Sequence, residues 1–440
     1  MASTYLTKTS TTVTNDKKFT VSAWVKGSDL GGSVQAGVCG HRSTTNAGNS
    51  SFQFGLFNGG YYAAFVSNSG NDVHINKVTN RLLRDVHAWY HLVIAVDSTL
   101  GTASDRVKMY INGELQTSFS TDVNPPQDRT FLNNSCNIDV GRLTYTDGSF
   151  KYWDGAIAHF HFVDGTAYPA STFAETDTTT GIWKPKTAPS VTYGTNGFFL
   201  KFENSAAMGT DSSGNSNNYT IGSGTMTQLI DTPSNIFATL NPLGFQDAAN
   251  SQLSNTNTTF TGATSGDHNL TIGNLAVDTG KWYWELKLGG TINDYSYIGI
   301  RDIESNPTKQ QYVGTVTGGV ALRSDGYLNI DGSFPSQFSG ISYTTGDIIS
   351  VGLDLDNNKI YWYENGTLIN SGGTTITNRL YAPSASMVGN NGIFNFNFGN
   401  GFFGTTAIAS AGSNGNGSLF EYDVPSGYYA LNTKNINSHG

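Results

Sequence analysis

Two hexapeptides constrain the fold more than any other feature of the chain. Tyr110-Ile111-Asn112-Gly113-Glu114-Leu115 and Tyr363-Glu364-Asn365-Gly366-Thr367-Leu368 each set Asn-Gly between two stretches of alternating apolar residues. Asn-Gly favours the type I′ turn, whose two central residues both need positive φ. That turn joins adjacent antiparallel strands. It occurs once in each half of a 440-residue chain, which is longer than one hydrophobic core normally supports. Two antiparallel β-sandwiches, each with its own core, are therefore expected.

The alternation elsewhere agrees. Residues 19–25, Ser51–Phe57 and 393–399 place apolar side chains at every second position, as a half-buried strand requires. Residues 89–96 are almost continuously apolar, which predicts a central strand, and residues 281–288 predict an aromatic one. No stretch carries a 3.6-residue period. The 52 glycines are dispersed at turns, which fits short strands and tight connections. Character changes between 204 and 244, where residues 211–218 are pure turn composition and Asp231-Thr232-Pro233-Ser234-Asn235 follows. The expected organisation is a sandwich over 1–203, a Ser/Asn/Gly-rich junction over 204–244 that packs on a domain surface, and a sandwich over 245–440. Residues 409–418 read as a mobile surface loop.

Charge removes several function classes. Only 13% of residues are charged, the net charge is −9, and no Lys/Arg cluster stands out. Nucleic acid and anionic membranes need concentrated positive charge, so neither is an expected partner. No run reaches the roughly 18–20 apolar residues of a spanning helix, so no membrane insertion is expected. Residues 1–5 lack the basic and apolar regions of a secretory signal, which predicts synthesis in the cytoplasm. Cys39 and Cys136 make no zinc pattern and read as buried thiols, with their pairing left open.

Several motifs resemble known families. Residues 19–24, Trp89-Tyr90-His91-Leu92-Val93, the first Asn-Gly hairpin and Trp153-Asp154-Gly155-Ala156-Ile157 are similar, in that order, to the laminin-G-like, concanavalin A-type lectin/glucanase superfamily over about 1–203. Trp282-Tyr283-Trp284-Glu285, residues 346–354, Asn365-Gly366 and Asn397-Phe398-Gly399 resemble a SPRY domain over about 245–440. Residues 231–242 and 428–436 resemble segments of tailed-phage virion proteins, especially marine ones, that link and close the same pair of domains. The resemblance implies a bacteriophage structural protein on the virion surface, either a tail fibre or a capsid decoration protein. Its partners would be other virion subunits and a host-surface glycan or protein. Fibre analogy admits a homotrimer.

No catalytic centre is expected. Glycosidases of the sandwich type need two carboxylates across the scissile bond, and Glu-x-Asp-x-Glu does not occur. Asp354 and Asp356 share a strand face but approach the turn at Asn357-Asn358. Nucleophile elbows, zincin motifs and phosphate loops are absent from the sequence. His159 and His161, two apart in a strand, are the best metal candidates, with Asp154, His87 or His91 as third ligand. No cofactor is expected. Calcium is the alternative left open, through Asp147, Asp154, Asp211 and Asn215.

Binding is the chemistry the composition favours. Aromatic residues make up 12% of the chain, and the flat faces of Tyr and Trp stack on the C–H faces of sugars. Tyr61, Tyr62, Tyr145, Trp153, Tyr295, Tyr312 and Tyr327 lie in or beside turn-rich segments, and the resemblance adds Arg301 and Asp302 at a SPRY rim. The leading expectation is a non-enzymatic adhesion protein. The alternatives are a purely architectural virion protein and a glycan depolymerase with an unconventional site.

Overall fold

The computed structural model describes residues 3–27, 36–43, 51–57, 62–69, 72–85, 88–132, 135–144, 149–178, 181–244, 252–263, 268–305, 312–315, 317–389 and 391–440. The chain divides into two compact units. The first holds Met1–Gln228 and Thr232–Ser234; the second holds Leu229–Asp231 and Asn235–Gly440. The interval 204–244 is thus shared between them. Phe237 and Leu240 are buried within the second unit, where Ala238 N–H donates to Leu431 O.

Both units are antiparallel sandwiches. Among the described residues, the first has an eight-stranded sheet and a six-stranded one. The six-stranded sheet runs Phe198–Leu200, Gly155–Asp164, Lys18–Gly27, Tyr90–Asp97, Val107–Ile111, Glu114–Leu115. Phe19, Val21, Ala23 and Val25 point inward with Leu92, Ile94 and Val96. This parity is the one the alternation predicts. Trp24, His91, Val93 and His161 sit at the opposite parity and are nevertheless buried. Phe173, Tyr193 and Trp183 pack over that outer face.

The second unit pairs a nine-stranded sheet with a six-stranded one. Lys281–Gly289 lies between Ile348–Asp354 and Ile393–Asn397, and its Trp282, Trp284 and Leu286 enter the core with Trp362. Its Tyr283 and Glu285 face the other way and are covered by Phe420, Val424 and Tyr428. The six-stranded sheet runs His268–Ile272, Tyr381–Val388, Tyr297–Asp302, Gly319–Arg323, Tyr327–Ile330, Ser333–Gln337.

The two Asn-Gly turns have the geometry their sequence requires. φ is +50° and +83° at Asn112 and Gly113, and +47° and +80° at Asn365 and Gly366. Each Asn also ties down a neighbouring strand. Asn112 N–H donates to His91 O and its Oδ1 accepts from His91 N, both at 2.8 Å. Asn365 does the same with Ile348, both at 2.9 Å.

Two expectations are corrected. Thr433–His439 is a helix, capped by Asn432, whose side chain accepts from Asn435 N. Seven residues are too few to show a period. Residues 409–418, read as a mobile loop, are pinned: Ala409 N–H donates to Glu421 Oε2, Ser413 N–H to Asp423 Oδ1, and Gly412 N–H to Phe420 O. Cys39 and Cys136 are separate buried thiols.

Candidate ligand-binding site

The outer face of the second unit's six-stranded sheet carries a row of aromatic side chains around one arginine. Tyr297 pairs with Arg323, and the Gly319–Arg323 and Tyr327–Ile330 strands run antiparallel around the turn at Gly326, where φ is +87°. Residues of odd number therefore project outward at this end. The Arg323 guanidinium lies 4.6 Å from the Tyr327 ring centre, 5.5 Å from Phe334 and 5.6 Å from Tyr295. It is held in place by Asp325, accepting from Nε at 2.7 Å and Nη2 at 2.5 Å. That pair, the largest cause, raises the arginine's pKa above its ordinary value. The Tyr312 ring lies tilted against Tyr297 at 4.5 Å and near-parallel to Tyr295 at 6.4 Å. Burial pushes the Tyr312 hydroxyl up to about 12, so it remains a hydrogen-bond donor at neutral pH.

Tyr295 and Phe334 are each 48% exposed, an unusual exposure for rings fixed by neighbours. The shelf offers flat apolar faces, phenolic hydroxyls and a largely buried guanidinium whose side chain is 16% exposed. Rigid aromatics and arginine dominate binding energy at interfaces because they bury much area at little entropy cost.

The expected site residues divide between this shelf and the interior. Tyr312 and Tyr327 belong to the shelf. Arg301 and Asp302, expected at the rim, are only 1% and 4% exposed. Their strand, Tyr297–Asp302, lies inside its sheet between two neighbours. Asp302 accepts from Arg379 Nη1 and from Glu304 N, each at 3.0 Å. Trp153 belongs to the first unit's core and donates its indole N–H to Ala156 O at 3.2 Å. Tyr61, Tyr145, His87 and Asp147 lie outside the described residues, as does the side chain of Tyr62. Arg323 and Phe334 were missed from the sequence. Their signal is weak, because a charge in a short strand and an aromatic after Asp-Gly both read as ordinary turn flanks.

The histidines meet rings, not a shared ion. A register shift separates Ala158 from His161, and His159 has φ +45°, so the simple two-residue alternation fails there. The His161 ring stacks on Phe199 at 3.9 Å, and its Nδ1 shares a 2.8 Å hydrogen bond with Tyr193 Oη. His91 accepts from Trp183 Nε1–H at 3.1 Å, which leaves its Nε2–H to donate to Ser22 Oγ at 2.8 Å. Burial holds His91 down to about 3 and His159 to about 4, so both are neutral. Among the described residues no three His, Cys, Asp or Glu side chains converge as metal ligands would.

Other polar groups are occupied by their own backbone. Asp211 accepts from Phe199 N, Ser213 N, Ser213 Oγ and Asn217 N, and Asn215 donates to Gly194 O and Gly197 O. A hollow of about 650 Å³ in the first unit is lined by Thr14, Tyr193, Thr195, Ser213 and Asn215. Its hydroxyls and amides are largely spent: Thr14 and Thr195 bond one another and Tyr193 faces His161. Carboxylates two apart occur at Glu175/Asp177, Asp302/Glu304, Glu421/Asp423 and Asp354/Asp356, the last with Asp354 paired to Lys281 at 2.9 Å. In each pair at least one is engaged, Asp177 by Lys184, Asp302 by Arg379, and Asp423 by Ser413 N. Glu285 is buried and pushed up to about 7 by desolvation, a shift common in catalytic acids. Its oxygens, however, accept from Glu421 N, Tyr422 N, Asn397 Nδ2 and Tyr283 Oη, so it anchors a chain segment.

Comparison with known proteins agrees with the two sandwiches. A model of the concanavalin A-like lectin/glucanases superfamily matches residues 1–172, and a SPRY domain model matches residues 281–401. Both domains are present in the chain, and their types point to a binding role. Similar solved structures include the SPRY domain of human HERC1, at 19% identity over 36% of this chain and 96% of that one, with a TM-score of 0.30. A human SPRY domain aligns at 17% identity over 35% and 94%, TM-score 0.27. Stonustoxin aligns at 16% over 36% and 27%, TM-score 0.28. No curated protein matches the chain.

Proposed function

We propose that this protein is a non-enzymatic adhesion protein of a bacteriophage surface, which holds a host-surface glycan on the aromatic shelf of its SPRY domain. The observation that carries the binding role is the set of half-exposed rings, Tyr295 and Phe334 with Tyr327, fixed around Arg323. Sugar C–H faces stack on Tyr327 and Phe334, while a hydroxyl of the sugar bonds the phenol of the exposed Tyr295. No resident metal or cofactor is needed for this chemistry. The virion location is supported by residues 231–242 and 428–436, whose sequence resembles the linking and closing segments of phage virion proteins. Many copies on one particle raise a weak single-site affinity through effective concentration.

A glycan array probed with the full chain, and with Phe334→Ala and Tyr327→Ala, tests the reading. Each substitution removes one stacking face and is expected to weaken the retained glycan by about tenfold, or ~1–2 kcal/mol, with folding intact. Binding unchanged in both variants, or release of reducing ends from the bound polysaccharide, would overturn it. Immunogold labelling of particles checks the location; label absent from virions removes that part of the proposal.

A further inference from the structure

Beside the shelf, the same sheet face buries a guanidinium whose two terminal nitrogens lack a partner among the described residues. Arg301 is 1% exposed, and its Nη1 and Nη2 have no hydrogen-bond partner among the described residues. Asp302 is its neighbour in sequence, but the Asp302 carboxylate is taken by Arg379 and Glu304 N. Burial without a partner lowers the arginine's pKa, and the nearby Asp302 charge only partly offsets this. A buried cation left this way is strongly disfavoured unless an opposite charge or polar group joins it.

A second orphan lies on the same face. Asn329 is fully buried, and both its Oδ1 and Nδ2 lack partners among the described residues. The register places Arg301 opposite Gly319, and Gly299 and Asn329 on either side of Ala321. Only glycine and alanine side chains therefore separate the two along the sheet. Two inter-strand spacings and a two-residue offset put their Cα atoms roughly 12 Å apart, within the combined reach of both side chains plus one small ion. Residues 312–315 roof this floor: Val313 N–H donates to Ser386 Oγ at 3.0 Å, and Gly332 N–H to Gly314 O at 2.5 Å. A Cβ on Gly314 would stand 2.9 Å from Asn329 Cγ, so the roof is in contact.

We propose that Arg301 and the Asn329 amide form an anion-binding site under the 312–315 segment, which takes a single negatively charged group. The guanidinium supplies the charge and two N–H donors, and the Asn329 Nδ2 supplies a third. The anion is either a free halide-sized ion or the carboxylate of an acidic sugar whose neighbouring rings reach the shelf. The site stands whether or not the shelf binds sugar.

Thermal unfolding of the full chain and of Arg301→Met separates these cases. Met keeps much of the volume and removes the charge. Sodium bromide, sodium galacturonate and neutral galactose are titrated in turn. The unsubstituted chain is expected to gain about 5 °C or more at a hundredfold excess of the bound anion over its Kd, and Arg301→Met to gain nothing comparable. Stabilisation by bromide assigns a free ion; stabilisation by galacturonate alone assigns an acidic sugar. Bromide anomalous scattering from crystals should then place, or fail to place, an ion beside Arg301. Equal shifts in both chains, equal shifts with galactose, or no shift with either anion would each overturn the site. Asn329→Leu serves as the second variant should Arg301→Met not fold. Tyr327→Ala keeps the bromide response but weakens a galacturonate response, so a failed shelf and a failed anion site give different results.

Discussion

At the scale of single residues, each Asn-Gly pair performs two tasks. The positive φ of both residues closes the hairpin, and the Asn side chain satisfies an N–H near the start of a neighbouring strand, at His91 or Ile348. The glycine also lies under a ring. A Cβ on Gly113 would stand 2.9 Å from the Trp183 ring, and one on Gly366 would stand 2.6 Å from the Tyr422 ring. Glycine is thus required twice over, for φ and for space. Gly366→Ala should lose about 2 kcal/mol or more in urea denaturation, because strain at φ +80° adds to displacement of the Tyr422 ring. Asn365→Gly keeps the φ but orphans Ile348 N, and about 1–2 kcal/mol is the expected loss. Equal stability of Asn365→Gly and the unsubstituted chain would show that the turn conformation alone matters.

At the scale of elements, alternation fixes which side of a strand faces the core, and it leaves open what covers the other side. That is why Lys281–Gly289 was legible as a strand, with Trp282 and Trp284 inward, while the burial of Glu285 beneath residues 420–428 was not. The same limit misplaced Arg301: its strand and parity follow from sequence, but its burial does not. Tyr312 and Tyr327 were legible because aromatics beside turns reach a surface. Phe334 was not, since its neighbours in the row come from three other segments. The His159–His161 bulge is a local break that no periodic argument contains. Glu285 gives this element a measurable pH signature. Desolvation lifts its folded pKa from 4.5 to about 7, against the lowering effect of its N–H donors. The folded state therefore keeps a proton that the unfolded chain has released. The stability this group contributes is full below about 4.5 and falls as pH rises through about 7, by up to about 3 kcal/mol. Urea midpoints between pH 5 and 8 should fall with rising pH, and Glu285→Gln should flatten that slope while lowering stability throughout. A slope unchanged in Glu285→Gln would assign it to another group.

At the scale of the whole molecule, two cores with separate residue sets carry the stability. Phe19, Phe52 and Phe162 stack within the first, while Trp282, Trp284 and Trp362 are fully buried in the second. Cores built from separate residue sets can unfold in separate steps. Calorimetry of the full chain should resolve two transitions. Trp362→Ala leaves a cavity and orphans Ile298 O, which accepts from the indole N–H at 3.0 Å. It should cost about 3–5 kcal/mol and lower one transition only. Phe52→Ala should lower the other by a similar amount. Because the shelf and the Arg301 site both belong to the second unit, ligand or anion should raise only the transition that Trp362→Ala lowers. A ligand that raised the transition sensitive to Phe52→Ala would move the binding face to the lectin-like domain, where Arg142 lies 3.5 Å from the Tyr5 ring and 4.3 Å from that of Phe150.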